Sequence, residues 1–268
     1  MSVLSYVLRL ADNALIAGHR LSEWCSKGPV LEADMALTNM ALDHIGQARL
    51  LYQYAGLVEG RGRTEDDLAC LREEHDYQNW LLTELPNGDF GMTVVRMFLS
   101  AAFHHPFFEA LTQSSDATLS GVAEKALKET TYHRRWSGEW VIRLGDGTEE
   151  SHRRVQNALD TLWPYCGEMW TADETDKEML EAGIGPDLGK VATAWEQTVH
   201  SVLQEATLLV PDRPFYQKGG KQGRRGSGQA ERAGVAALLH RDGRVPEHLG
   251  YILAEMQYMQ RLHPGVTW

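Results

Sequence analysis

The sequence predicts an all-α fold built from long antiparallel helices. In each long segment, apolar residues recur at steps of three and four, as they do on one face of a helix with 3.6 residues per turn. No segment shows the two-residue alternation that is typical of a strand. Short turns rich in Gly, Pro, Asn and Asp separate the periodic segments, so successive helices are expected to pack against each other in opposite directions.

The turn signals set the boundaries of the predicted helices. Those helices cover residues 4–26, 31–55, 65–85, 91–113, 116–144, 149–170, 187–209 and 246–262. Pro106 predicts a kink in the fourth helix, and Pro164 predicts a bend in the sixth. The segment 211–245 lacks apolar periodicity in its Gly-rich first half, although its Ala-rich part at 233–240 could form a brief helix.

Composition places the chain among soluble globular proteins. Hydrophobic residues make up 43% and charged residues 24% of the 268 residues, which suits a single domain over 1–268 with a sizeable core. No apolar run is long enough to predict a membrane span, and the N-terminus does not resemble a signal peptide, so we expect a cytoplasmic protein. The net charge of −11 argues against nucleic acid as the main partner.

The helix predicted over 31–55 carries polar residues on its apolar face. Its apolar stripe begins with Leu31 and Met35 and continues to Tyr52, and we expect the whole stripe to be buried. Asp43, His44 and Gln47 lie within or beside this stripe. His44 and Gln47 are three residues apart, so their side chains leave successive turns on one face of the helix. Polar groups in such a place indicate a functional site or its remnant.

Four-helix bundles that bind two metal ions place Glu-x-x-His motifs and single carboxylates at such positions. The matching positions in this chain hold Glu23, His44, Gln47, Ser100, Thr130 and His133. One carboxylate remains among them, whereas two divalent ions need about four. Glu129 could supply a second carboxylate only through a shifted ligand arrangement. We therefore predict a vestigial site without bound metal.

A different role is predicted for these polar side chains. We expect Glu23, His44, Gln47 and His133 to form one buried hydrogen-bond network that joins four helices, because buried polar groups find partners. Adjacent histidines on a helix point about 100° apart. At most one of His104 and His105 is therefore expected to face the core.

The loop KGGKQGRRG concentrates positive charge in an otherwise acidic chain. It lacks the residue order of a phosphate-binding loop and does not follow a strand. Lys218 and Lys221 remain candidates for contact with phosphates or with an acidic partner. A solvated linker is an equally good interpretation of this loop.

Two stretches together resemble one protein family, and six shorter ones between them agree. The two are RLSEWCSKGPVLEADMALTNMALDHIGQARLLYQYAG (20–56) and EHLGYILAEMQYMQRLHPGVTW (247–268). The shorter ones are LPNGDFGMTVVRMF, KALKETTYHRRWSGEW, RLGDGT, AWEQTV, EATLLVP and GGKQG. They are similar to the structural, non-catalytic subunit of phenylacetyl-CoA epoxidase complexes, which are bacterial multicomponent monooxygenases. One departure is the segment 224–245, which resembles an insertion.

The resemblance implies a ferritin-like helical bundle, with additional C-terminal helices, that takes part in aerobic phenylacetate degradation. It implies a homologous catalytic subunit as partner, which would hold the di-iron site and epoxidise the ring of phenylacetyl-CoA. A small bridging subunit and a flavin/iron-sulfur reductase, which docks transiently, would complete the system. In this interpretation the chain itself has no catalytic residue and no cofactor, and meets phenylacetyl-CoA only indirectly. The resemblance makes the phosphates of coenzyme A the candidate ligand of Lys218 and Lys221.

Two competing functions follow from the same residues. The chain could be a stand-alone di-iron carboxylate oxygenase or oxidase with an altered ligand set of Glu23, His44, Glu129 and His133. A ferritin-like storage bundle is disfavoured, because storage also needs carboxylate-rich sites that are missing from the predicted helices.

Overall fold

A computed structural model describes residues 2–215, 219–221, 248–263 and 266. These residues form helices and contain no strand, which confirms the predicted all-α class. The α-helices are α1 (Ser2–Ser22), α2 (Leu31–Glu59), α3 (Glu65–Cys70), α4 (Leu81–Glu84), α5 (Phe90–Leu111), α6 (Ala117–Gly145), α7 (Glu149–Leu162), α8 (Glu174–Glu181), α9 (Leu188–Glu205), α10 (Leu249–Met256) and α11 (Tyr258–Leu262). Short 3-10 helices cover Glu74–Asp76 and Trp163–Met169.

The four longest helices form a ferritin-like bundle. α1 packs along α2, α5 packs along α6, and α2 meets α6, which joins the two hairpins. α7 and α9 pack on α5, whereas α8 and α10 pack on α1. The predicted bundle with additional C-terminal helices is therefore confirmed, and its core lies between the two hairpins.

Side-chain caps explain where several helices begin. Thr64 accepts a hydrogen bond from the backbone of Asp67, Asp89 caps α5, and Asp116 accepts two backbone hydrogen bonds at the start of α6. An oxygen at this position satisfies backbone N–H groups that have no partner in the first helical turn. These residue types at a turn are the usual sequence signal for the start of a helix.

The buried face of α2 is narrower than the predicted stripe. Leu37, Met40 and Tyr52 are buried as expected, but Leu31 is 72% exposed and Met35 is 58% exposed. The prediction that Leu31 and Met35 are buried is wrong. The buried face follows the small residues that contact α1, and the two exposed side chains leave the helix on its other side.

The predicted helix over 65–85 is also wrong, because the chain between α3 and α5 is mostly irregular. Side chains from other elements take its backbone donors. The N–H of Gln78 donates to Asp12 at 2.8 Å, that of Trp80 donates to the Asn13 side chain at 2.9 Å, and that of Leu81 donates to Glu168 at 2.9 Å. These hydrogen bonds replace those of a helix.

Other predicted boundaries hold with small changes. α5 continues through Pro106, and α7 ends at Leu162, where a 3-10 helix containing Pro164 begins. α8 was missed by the sequence analysis. The brief helix predicted over 233–240 and the insertion predicted over 224–245 lie outside the described residues. Among the residues described, no helix combines the length and the apolar character that a membrane span needs.

Candidate functional site

A small cavity lies between the bundle helices, at the place where the sequence predicts a vestigial metal site. Its volume is about 40 Å³. α1, α2, α4, α5 and α6 all contribute to its lining. The lining residues are Ala17, Arg20, Leu21, His44, Thr83, Arg96, Met97, Ser100, Ala101, His104, Thr130 and His133. We call this space the histidine cavity. Four predicted site residues, His44, Ser100, Thr130 and His133, meet there.

Three histidines line the histidine cavity. The ring centroids of His44 and His133 are 5.1 Å apart, and His104 stacks on Trp80 at 5.3 Å. Burial, with a smaller contribution from the neighbouring His133, lowers the pKa of His104 to about 4. The same two causes, followed by His104, hold the pKa of His44 well below its ordinary value. His44 and His104 are therefore neutral at pH 7.

Two polar pairs link α2 to α6 beside the cavity. Nε2 of His133 lies 2.9 Å from Oδ2 of Asp43, and Nε2 of Gln47 donates to Oε2 of Glu129 at 2.8 Å. His133 and Gln47 are each 3% exposed, whereas the side chains of Asp43 and Glu129 are 34% and 15% exposed, so each pair joins a buried group to a carboxylate that water reaches. The prediction that Glu23, His44, Gln47 and His133 form one network is therefore wrong, because His133 and Gln47 each pair with a carboxylate of the facing helix and, among the described residues, not with another member of the predicted set.

Glu23 does not belong to this network, and the prediction that it does is wrong. α1 ends at Ser22, so Glu23 lies in the turn that follows, with a side chain 40% exposed. Its carboxylate accepts from Nη1 of Arg20 at 2.7 Å and from Nδ2 of Asn87 at 2.9 Å. The early end of the helix places Glu23 at the rim of the bundle instead of in its centre.

Arg96 brings a positive charge to the cavity without a carboxylate partner. It is 5% exposed and donates to the carbonyl oxygens of Leu85 and Pro86 and to Oδ1 of Asn87. In the part of the chain that the structure describes, it forms no ion pair. Burial, together with the nearby Arg20, lowers the pKa of Arg96 to about 10. The guanidinium is still charged at neutral pH.

Arg20 adds a second guanidinium to the same lining. It is 9% exposed and donates twice to the backbone oxygen of Glu84, at 3.0 and 2.6 Å. Its contact with Glu23 is its only carboxylate contact among the described residues. The cavity is thus lined by two cations and three histidines, with no Asp or Glu among its lining residues.

This donor set does not fit a pair of divalent cations. Divalent iron or manganese in such a bundle needs carboxylates that offset its charge. The nearby carboxylates of Asp43 and Glu129 are engaged by His133 and by Gln47, and Glu129 also lies 3.5 Å from Nζ of Lys125. Two guanidinium groups would repel a dication at this place. Within the described residues, no group of three or more His, Cys, Asp and Glu side chains is arranged to hold a metal.

The backbone N–H groups of the Gly-rich loop bind a carboxylate of the chain itself. The backbone N–H groups of Gly219, Gly220 and Lys221 all donate to Oε1 of Glu168, at 3.0, 2.7 and 2.7 Å. Lys221 is 4% exposed, and its ammonium lies 2.6 Å from Oδ2 of Asp176. Contact of Lys221 with an external phosphate stays a prediction, and these internal partners would compete with it. Lys218 lies outside the described residues.

Neither the arginines of the histidine cavity nor the partner of His133 was predicted from the sequence. Arg96 interrupts a very apolar run, TVVRMFLS, and a lone cation in such a run was a signal that could have been used. Asp43 was noted on α2 but was not assigned to His133. Of the adjacent histidines, His104 lines the cavity and His105 lies 3.2 Å from Nη1 of Arg134, so one faces inward as expected.

Comparison with known proteins supports the resemblance found in the sequence. Residues 1–268 match the family model described as phenylacetic acid catabolic protein. The chain is 42% identical over 264 residues to a 1,2-phenylacetyl-CoA epoxidase subunit of Escherichia coli (strain K12), and the alignment covers 98% of each chain. The predicted resemblance to a phenylacetyl-CoA epoxidase subunit is confirmed. This chain therefore belongs to the family of phenylacetic acid catabolic proteins.

Proposed function

We propose that this chain is a non-catalytic structural subunit of a phenylacetyl-CoA epoxidase complex in phenylacetate degradation. It would stabilise a homologous catalytic subunit that holds the di-iron site. The observation that carries this proposal is the charge of the histidine cavity, whose lining contains Arg20 and Arg96 and no carboxylate. A bundle with this lining lacks the ligands that would hold two iron ions.

An exposed apolar stripe on α2 supports a role in assembly. Leu31, Met35, Leu42, Leu50 and Leu57 are 72%, 58%, 64%, 37% and 80% exposed. At 100° per residue, these five side chains lie within an arc of about 100° around the helix. Such a row of exposed apolar side chains marks a protein interaction site. We call these five residues the α2 stripe.

The chemistry of the α2 stripe favours another helical subunit as its partner. A row of apolar side chains along a helix of 29 residues, although interrupted by the exposed polar residues Asn39 and Arg49, matches the ridges and grooves of a second helix bundle. The relative from Escherichia coli is named as one subunit of an epoxidase, which implies partner subunits. Because the family resemblance implies a homologous catalytic subunit, that subunit is the partner that we propose. A bridging subunit and a reductase would then bind the assembled pair, rather than this chain alone.

Co-purification tests the proposed assembly. The full chain is co-expressed with a homologous di-iron subunit of a phenylacetyl-CoA epoxidase, and the mass of the purified complex is measured. Leu42→Asp places a charge in the α2 stripe and should weaken binding at least tenfold, because the carboxylate would lose its hydration at the interface. Leu209→Asp is the matched control, since Leu209 is 75% exposed but follows α9.

Three outcomes separate the proposals. Loss of the complex for Leu42→Asp but not for Leu209→Asp supports the α2 stripe as the interface. Equal binding by both variants and the unchanged chain would exclude the α2 stripe but not the structural role. Two tightly bound iron ions in this chain, with oxygen-dependent turnover in the absence of a partner, would instead establish the stand-alone oxygenase or oxidase.

A further inference from the structure

The histidine cavity has more hydrogen-bond donors than the protein satisfies. A guanidinium has five N–H groups. Arg96 uses three of them, on Leu85, Pro86 and Asn87, and Arg20 uses three, on Glu84 and Glu23. Two N–H groups on each arginine therefore have no acceptor among the described residues.

Neutral polar groups on the cavity wall are also unpartnered. Among the described residues, the hydroxyls of Ser100 and Thr130 and the ring nitrogens of His44 and His104 form no hydrogen bond. Buried polar groups in native proteins are hydrogen-bonded to protein, water or a ligand. Thr130 is 2% exposed, whereas His44, Ser100 and His104 are half-buried, so the two hydroxyls are available to donate to an occupant of the cavity.

The charges around the cavity specify the sign of this occupant. Arg20 has Glu23 as its counterion, at 2.7 Å, whereas Arg96 has only neutral acceptors. His44 and His104 are neutral. Two guanidinium groups thus share one carboxylate, that of Glu23, whose charge also raises the pKa of Arg96. One positive charge is left over in a largely buried place, where an unpaired charge is costly. A single negative charge would offset it.

The volume limits the size of the occupant. The cavity measures about 40 Å³. Admission of one water molecule takes roughly 10–15 Å³ of such space. The cavity therefore has room for one small ion or for a few water molecules, but not for a carboxylic acid metabolite or a nucleotide.

We propose that the histidine cavity binds a small monovalent inorganic anion of about the size of chloride, held by the guanidinium groups of Arg20 and Arg96. The hydroxyls of Ser100 and Thr130 donate to the same ion. The anion ties α1 to α5 and α6, in the position where carboxylates and cations would meet in a metal-binding bundle. Its role is to complete the core, and it takes no part in chemistry.

Diffraction with bromide tests the site directly. Crystals of the full chain are grown or soaked in sodium bromide, and anomalous differences are measured at the bromine edge. The expected result is a peak between Arg96, Arg20 and Ser100. A cavity that shows water density and no anomalous peak at saturating bromide would overturn the proposal.

Thermal unfolding gives an independent test in solution. The full chain is titrated with sodium chloride or sodium bromide at constant ionic strength, with sodium gluconate as the replacement salt, since gluconate is too large for the cavity. A ligand that binds only the folded state raises the midpoint in a saturable way, by about 5 °C or more at a hundredfold excess over the dissociation constant. An identical response to gluconate would contradict a specific site.

Variants assign the response to the cavity. Arg96→Gln should abolish the halide response, and Ser100→Val should abolish it while keeping both arginines, because it replaces the hydroxyl with methyl groups that fill the space. Arg154→Gln is the control, since that side chain is 55% exposed, and it should keep the full response. If Arg96→Gln does not fold, Ser100→Val and the bromide diffraction decide the question. A full halide response in Ser100→Val would refute the location.

Discussion

Two buried arginines of this protein lie in opposite electrostatic surroundings. Arg72, in what we call the ionic core, donates all five of its N–H groups: two to Asp12, and one each to Tyr52, Leu68 and the backbone of Asp76. Arg96, in the histidine cavity, donates three and contacts no carboxylate among the described residues. Both side chains are about equally buried, at 6% and 5% exposure.

The pKa directions express the same difference. Burial is the largest single influence and lowers the pKa of Arg72, but the charge of Asp12, its hydrogen bond and the neighbouring Tyr52 and Tyr77 together raise it by more, so the pKa of Arg72 lies above its ordinary value. At Arg96 burial prevails, and the pKa falls to about 10. In the ionic core every N–H group of Arg72 therefore has an acceptor, whereas the histidine cavity contains N–H groups of Arg96 without one among the described residues and space beside them. The former stabilises the fold, and the latter offers its donors to a small ligand.

The largest effect is expected in the ionic core. Asp12 is fully buried, and Asp12→Ala would leave the charge of Arg72 without its counterion. Breaking such a pair costs about 3–5 kcal/mol in the free energy of unfolding. Urea unfolding measures this loss, with Glu196→Ala on the exposed face of α9 as a control that should stay within about 0.5 kcal/mol of the unchanged chain. A loss below about 1 kcal/mol for Asp12→Ala would contradict the distinction between the two regions.

The second effect is a dependence of stability on pH that originates in the histidine cavity. The pKa of His104 is about 4 in the folded chain and lies near 6.5 in the unfolded chain. Between these values the unfolded state binds more protons, so stability is full above about pH 6.5 and falls as the pH decreases towards 4. Protonation of His104 should lower the free energy of unfolding by about 1–3 kcal/mol over this pH range. This is less than the full pKa shift would give, because the ring is only partly buried.

Unfolding of His104→Phe between pH 4 and 7 checks this expectation. The variant should lose part of the pH dependence, while His200→Gln on the exposed face of α9 should keep all of it. An unchanged slope in His104→Phe would show that other groups cause the acid sensitivity.

A smaller effect is expected from the pair that links α2 to α6. Gln47→Ala removes the hydrogen bond to Glu129 and should cost about 0.5–1.5 kcal/mol in unfolding free energy, because Glu129 keeps Lys125 nearby and is still reached by water. Urea unfolding of Gln47→Ala, Glu129→Ala and the double variant would measure the coupling. Strictly additive losses would mean that the pair contributes nothing as a pair.

The smallest effect is expected at Glu23. Because its side chain is 40% exposed, its ion pair with Arg20 is worth about 0–1 kcal/mol. Glu23→Gln should therefore change the free energy of unfolding little, yet increase the halide response, since Arg20 would lose its counterion. A loss above about 2 kcal/mol would place Glu23 back in the central network from which the structure removes it.

Periodicity was enough to predict the bundle, because α1, α2, α5 and α6 bury continuous faces against one another. It failed between α3 and α5, where Asp12, Asn13 and Glu168 bind the backbone from distant parts of the chain. The sequence of the segment itself does not reveal partners that lie so far away in the chain. It failed again at Leu31 and Met35, because apolar residues with helical spacing look the same in the sequence whether the fold buries them or leaves them exposed.

The site was predicted in part for a similar reason. His44, Ser100, Thr130 and His133 meet because helical spacing fixes their faces. Glu23 was misplaced because its position depends on where α1 ends, and helix ends are the least certain part of a sequence-based prediction. The two arginines were not predicted, because their long side chains reach the cavity from positions that helical spacing does not place on its wall.

Iron analysis of the assembled and separated subunits tests whether the di-iron site belongs to the partner and not to this chain. The complex with the catalytic subunit and the isolated chain are each reconstituted with ferrous iron, desalted and analysed for metal. Our account predicts about two iron ions for each heterodimer, as expected for one di-iron site, and only trace iron in this chain alone. Near-stoichiometric iron retained by the isolated chain, and lost in a Glu129→Ala or His133→Ala variant, would contradict it.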